Sequence, residues 1–287
     1  MQKLGDSHIH AGKTSIFLIS LLVASVFVFF PLSVSASPPQ RIISLAPNIT
    51  EILFAIGLGD RLVGVTRFCD YPEGARKIRK IGGMSNPSLE TVVSLKPDIV
   101  VLTTDGNPKE FEERLRSLGI RTYVFRAQRL AELPAAIRSL GVALGAKEKA
   151  CALAEGVEGA VRKTSLRHPH GVKQKVLFVV WPEPLIVAGR ETLIDDVISL
   201  FGRKNIAAGA QSSYPKYSIE EIIRQAPDVV LIGKGHENVR EMSGSLLKKI
   251  AAVPAVRDGK VFYLSDNLFR MGPRIIAGIE EMAACLR

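Results

Sequence analysis

Short apolar runs alternate with helical periods from residue 41 to the end of the chain. Residues 41–45, 62–65, 98–102 and 121–125 are short and apolar enough for buried strands. Between them the spacing predicts helices over 48–57, 88–95 and 109–118, the first capped by Asn48 or Thr50 and stopped by Gly57, the last ended by Gly119. The alternation resumes after 171, with strands over 175–180, 228–232 and 260–264. The helices of this half fall at 192–201, 218–225, 246–252 and 273–286, with Pro273 in the first turn of the last. Strand–helix–strand order of this kind predicts an α/β fold, with helices covering mostly parallel sheets.

The stretch from 131 to about 165 breaks the rhythm. Leu133, Ile137, Leu140, Leu144, Ala150, Leu153, Val157 and Val161 recur at helical spacing. About 35 residues at 1.5 Å each span roughly 50 Å, too long for the interior of a small domain but suited to a strut between two. Leu144-Gly145-Ala146 is its expected compliant point, and His168-Pro169-His170-Gly171 ends it. The expected organisation is an export segment over 1–36, an N-terminal lobe over 37–128, a linking helix over 129–170 and a C-terminal lobe over 171–287. A ligand cleft is expected between the lobes.

The second half repeats the first. Residues 88–102 align without gaps on 218–232, an offset of 130 that keeps Ser, Glu, Pro, Asp and one Val identical. Each copy reads as an N-cap serine, an acidic first turn, an apolar helix face, a stop at proline and a buried strand. Glu90 and Glu220 therefore hold equivalent positions, with Thr91 and Glu221 leaving the register open by one residue.

The N-terminus adds a location. Lys3 and Lys13 precede an uncharged run from Ser15 to Leu32, and Val34-Ser35-Ala36 follows Pro31. Basic, apolar and small-residue regions in that order predict a secretory signal cut after Ala36, and a retained membrane anchor is the alternative. No cysteine follows the run to carry a lipid. Removal of residues 1–36 takes away Lys3, Lys13 and Asp6, so the net charge falls from +10 to +9. The lysines and arginines are scattered and no nucleic-acid motif accompanies them, so the charge reads as a solvated surface. Cys69, Cys151 and Cys285 are odd in number and match no zinc spacing, and buried unpaired thiols are expected for most of them. No nucleophile elbow, phosphate loop, dinucleotide fingerprint or zinc-protease motif occurs. His168, His170 and His236 are the only histidines after residue 36, so a catalytic centre or a metal site is not expected.

Arg41-Ile-Ile-Ser-Leu-Ala-Pro-Asn-Ile-Thr-Glu51, Val63-Gly-Val-Thr-Arg-Phe-Cys-Asp-Tyr-Pro72, Leu95-Lys-Pro-Asp98 and Pro273-Arg-Ile-Ile276 resemble the helix-linked class of periplasmic binding proteins. That class serves ABC importers of vitamin B12, haem, siderophores and some metals. Within it the pattern looks most like the cobalamin-binding members. The resemblance implies a monomeric, non-enzymatic protein that holds a corrinoid such as cobalamin between its lobes and hands it to a permease dimer with its ATPase subunits. It needs no cofactor of its own. By position the resemblance assigns ligand contacts to Phe68, Trp181, Tyr214, Asp266 and Arg270, and permease docking to Glu90 and Glu220. Rigid aromatic faces with a few polar anchors suit a large conjugated ligand on general grounds. Met84 and Thr103 stand where members of the class carry tryptophans, and Phe201 stands where they carry a disulfide cysteine. A ferric siderophore or haem is the alternative ligand, for which Arg67, Arg126, Arg190 and Arg270 would make a basic cleft.

Overall fold

The computed structural model describes residues 37–104, 106–167, 174–235 and 238–286. The expected export segment and His168, His170 and His236 lie outside them. Strands β1 (Ile42–Ser44), β2 (Leu62–Val65), β3 (Ile99–Thr103) and β4 (Thr122–Phe125) form a parallel sheet in the order β2-β1-β3-β4. Helices α1 (Pro47–Ala55), α2 (Glu73–Arg76), α3 (Leu89–Ser94) and α4 (Lys109–Ser117) accompany it. Helices α5 (Leu133–Leu144) and α6 (Lys147–Arg167) lead to the second lobe.

There β5 (Lys175–Pro182), β6 (Leu185–Val187), β7 (Lys204–Asn205), β8 (Val229–Gly233) and β9 (Val261–Leu264) form a sheet ordered β6-β5-β8-β9, with β7 also on β5. Only the β5–β6 pairing is antiparallel. Its helices are α7 (Leu193–Leu200), α8 (Ile219–Gln225), α9 (Val239–Lys249), α10 (Pro254–Arg257) and α11 (Ile275–Cys285). The expected two-lobed α/β fold is present.

Successive strand residues point to opposite faces, and the cores divide accordingly. Ile42, Ile99 and Val101 face a core that runs through α1, α5, α6 and α11 to Val176, Phe178, Val229 and Leu231 of the second sheet. Ile43, Val100 and Leu102 face a separate core with Val92, Phe111 and Leu115. Leu177, Val179, Val230 and Ile232 do the same in the second lobe. A continuous inner core thus passes between the lobes.

Some element bounds differ from expectation. Helix α1 starts at Pro47, whose missing N–H costs nothing at the first helical position. Asn48 and Thr50 therefore lie inside the helix, and the buried Thr50 hydroxyl bonds Ser44 Oγ at 2.8 Å. Helix α9 starts at Val239 rather than 246, because Ser243 and Gly244 interrupt its apolar stripe. Strands β6 and β7 and helices α2 and α10 are too short to leave a period in the sequence.

A long helix does link the lobes, but it is shorter than the apolar period suggested. Gly145 adopts φ 72°, a left-handed conformation that glycine takes without steric cost, and it separates α5 from α6. Helix α5 folds back along α6, where both guanidinium Nη atoms of Arg138 meet the Glu158 carboxylate at 2.8 Å. The turn is closed by the Ala146 N–H donating to the Gly141 carbonyl at 2.8 Å, so it is no free hinge. Helix α6, 21 residues, spans roughly 31 Å at 1.5 Å per residue. A braced helix resists bending, so ligand should change the radius of gyration little in small-angle scattering. A change of several ångströms would contradict a stiff link.

The internal repeat survives in three dimensions. Ser88 caps α3 by accepting from Thr91 N at 3.2 Å, and Ser218 caps α8 by accepting from Glu221 N at 3.1 Å. Both helices end in a left-handed non-glycine residue just before proline, Lys96 at φ 44° and Ala226 at φ 48°. Asp98 Oδ2 then accepts from Arg41 N at 2.8 Å, and Asp228 Oδ2 accepts from Lys175 N at 2.7 Å. The N–H groups of Arg41 and Gln40, in that order, hold the Asp98 carboxyl below its usual range.

Candidate ligand cleft and docking faces

Loops at the C-terminal edge of a parallel sheet are where an α/β fold gathers ligand-binding side chains. Strands β1, β3 and β4 lead into Pro47 and Asn48, Thr103 and Thr104, and Gln128. Strands β5, β8 and β9 lead into Trp181, Gly235 and Asp266. All of these line two adjoining cavities, about 420 and 580 Å³, that share Phe269 and Met271. The strand ends of both sheets therefore open on one cleft, of a size normal for a small-molecule site. A larger apolar cavity of about 780 Å³ lies elsewhere, against α6 and α7, and collects no strand ends.

Four of the five expected ligand residues line the cleft. Trp181 is at the end of β5, where its indole N–H donates to the Glu183 carbonyl. Tyr214 rides on the loop before α8, held against the β6 end by Gly189 N donating to the Ser213 carbonyl at 2.8 Å. Asp266 opens a 3-10 turn after β9, and its carboxylate receives Nη2 of Arg270 at 2.8 Å.

Phe68 is the exception. It is 53% exposed on the loop after β2 and lines neither cavity. Its loop is firmly tied. The buried thiol of Cys69 meets the hydroxyls of Thr50 and Thr66, each at 3.1 Å, and Lys80 Nζ donates to the Cys69 carbonyl at 2.9 Å.

Phe269 is the cleft residue that sequence reading missed. It lies in both cavities, packs edge-on against Phe178 with centroids 5.7 Å apart, and sits over Gly233. A Cβ at Gly233 would come within 2.5 Å of its ring. The signal in the sequence was an aromatic placed just before Arg270, in the turn Asp266–Phe269.

The electrostatics are those of a neutralised cleft. Among the described residues, Arg270 is the only Lys or Arg lining the two cavities. Its guanidinium lies within 3.4 Å of three carboxylates, those of Asp266, Glu51 and Asp70. Arg67 stacks over Phe68 and bonds Asn86, Arg190 lies 4.0 Å from Glu191, and Arg126 lines a different groove.

Residues 42–268 match the periplasmic binding protein family. The chain belongs to that family. A vitamin B12-binding protein from Vibrio vulnificus is 28% identical over 261 residues, covering 91% of this chain and 94% of that one. Among solved structures, the periplasmic vitamin B12 binding protein BtuF of Vibrio cholerae superposes with a TM-score of 0.77 at 27% identity, covering 87% of this chain and 97% of that one. The periplasmic heme-binding protein RhuT from Roseiflexus sp. RS-1 superposes with a TM-score of 0.76 at 31% identity, with coverage of 86% and 97%. The relatives are solute-binding proteins, and among the described residues no helix is long and apolar enough to cross a membrane.

In this binding protein the repeated helices α3 and α8 carry the second set of expected residues. Glu90 and Glu220 are both exposed in the first turns. Glu221 is not equivalent to them, because it pairs with Arg224 at 2.6 Å and accepts from Gln225 at 2.9 Å. The Arg224 guanidinium holds its carboxyl below the usual range. The caps fix the repeat register: Thr91 N and Glu221 N donate to Ser88 and Ser218, so Glu220 matches Glu90. One turn further on, each helix also presents an exposed aliphatic residue, Val93 and Ile223, again 130 positions apart.

Proposed function

We propose that this protein is the extracytoplasmic solute-binding component of an ABC importer, that it captures cobalamin or a related corrinoid in the interlobe cleft, and that it delivers the ligand to the permease. Export by the N-terminal segment, with cleavage after Ala36, belongs to the same reading. The carrying observation is the chemistry of the cleft. Trp181, Tyr214 and Phe269 offer aromatic faces, Asn48, Thr103, Thr104, Gln128 and Ser213 offer neutral polar groups, and the one arginine is engaged by carboxylates. A conjugated ring fringed with neutral amides fits such a lining better than a ligand bearing several carboxylates. The B12-binding relatives support the same ligand.

A haem or ferric siderophore is the second reading, favoured by the likeness to the heme-binding protein. It would draw on a basic cleft, and Arg67, Arg126 and Arg190 are not lining residues of either cavity.

Trp181 is the only tryptophan, so its fluorescence reports from the cleft directly. Cyanocobalamin should quench it saturably, and more tightly than haemin or a ferric siderophore. Truncating Tyr214 or Phe269, with Trp181 kept as the reporter, should weaken binding by about 0.5–1.5 kcal/mol beyond the lost area burial. Tight haemin binding with no response to cyanocobalamin would transfer the assignment to the second reading.

A further inference from the structure

Glu51 stands on α1 with its side chain 1% exposed, outside the cleft lining. Its carboxylate accepts from two arginines of the other lobe. Nη1 of Arg270 lies at 3.3 Å, and Nε and Nη2 of Arg274 lie at 3.1 and 2.8 Å. A carboxylate this deep is tolerated because two guanidiniums enclose it. Arg270 is held as well by Asp266 at 2.8 Å and Asp70 at 3.4 Å. Arg274 donates to Asn267 Oδ1 at 3.1 Å and lies 4.7 Å from the Tyr71 ring centroid. Three carboxylates against two guanidiniums leave the cluster formally negative, although it contains the cleft's arginine. A ligand carboxylate approaching Arg270 must displace one already in place and meets the repulsion of Asp70 and Asp266, the more exposed members.

We propose that Glu51 is a positioning residue that sets ligand selectivity: by engaging Arg270 and Arg274 across the lobe boundary, it withholds their charge from the cleft and disfavours carboxylate-bearing ligands. It acts only through the arginines. The inference rests on the cleft being the ligand site, though not on which ligand fills it.

The test is Glu51→Gln in the whole mature chain, titrated by Trp181 fluorescence with cyanocobalamin, which bears no free carboxylate, and with haemin, which bears two. The affinity ratio should move toward haemin by about tenfold, the scale of one uncovered charge near a ligand, and the gain should shrink as salt is raised. Glu51→Asp keeps the charge and should keep the wild-type preference. A structural clamp alone would make both ligands weaken by one common factor, and that result, or an unchanged ratio, overturns the proposal. Should Glu51→Gln fail to fold by circular dichroism, Asp70→Asn removes a more exposed partner of Arg270 and should shift the ratio the same way by about two- to threefold. No shift there would be equally fatal. A wild-type chain that prefers haemin would sink the corrinoid reading while leaving the ratio test intact. A wild-type chain that responds to neither ligand would remove the cleft as the site, and this inference with it.

Discussion

Reversing the charge at both Glu90 and Glu220 should abolish assembly with the permease while leaving ligand affinity unchanged. Each glutamate stands in the first turn of a serine-capped helix, where the helix N-terminus favours a negative charge. Both are exposed, and neither faces the cleft. The two helices are copies, down to the left-handed residue that ends each of them. A protein with this internal pseudo-symmetry can offer matched acidic points to a two-fold symmetric partner carrying a basic group on each subunit. Glu90→Lys or Glu220→Lys alone should weaken the complex by about tenfold or more, because a rim contact becomes a like-charge one, and the double variant should show none. Val93→Ala and Ile223→Ala should have smaller effects in the same direction. A pull-down with the reconstituted permease, run beside a ligand titration, measures both quantities. Normal assembly of the double variant would remove the docking assignment, and lost ligand affinity in a single variant would move that glutamate into the cleft.

Gly233→Val should damage ligand capture far more than folding. The new Cβ would lie 2.5 Å from the Phe269 ring and 3.5 Å from Phe178, so Phe269 is the group that has to yield. Its ring is partly exposed and borders both cavities, so relief comes by swinging into the cleft. The expected result is a loss of ligand affinity of about tenfold or more with a stability loss near the low end of the 1–3 kcal/mol typical of overpacking. Thermal melts and Trp181 titration separate the two. Unchanged affinity with a large fall in melting temperature would place Phe269 in the core rather than in the ligand site.

The link between the lobes marks where periodicity misleads. Leu133 to Leu144 and Ala150 to Val161 each keep helical spacing, with a six-residue step across Gly145, because both α5 and α6 need an apolar stripe to face the shared inner core. A kinked helix and a folded-back pair can both carry two such stripes. The left-handed Gly145, the Ala146–Gly141 hydrogen bond and the Arg138–Glu158 contact decide for the folded-back pair.

Local order was legible where neighbours in sequence decide it. Most strands, the serine-capped helices and the repeat follow from apolar period and capping residues, which act within a few residues, whereas Trp181, Tyr214, Asp266 and Arg270 were placed by the family resemblance. Glu51 ends the Arg41–Glu51 stretch that carries the family resemblance, but nothing in the sequence marked it as the centre of an ion cluster. What only the tertiary structure decided is which charges meet. Glu51 and Arg274 are 223 positions apart and no local rule joins them. The same packing gathers Arg270 into a carboxylate cluster, seats Phe269 over Gly233 and leaves Phe68 outside the two cavities. The reason is physical: hydrophobic and hydrogen-bonding patterns along a chain set the elements, whereas charge neutralisation and cavity shape depend on distances that exist only after two sheets have been packed about a common core.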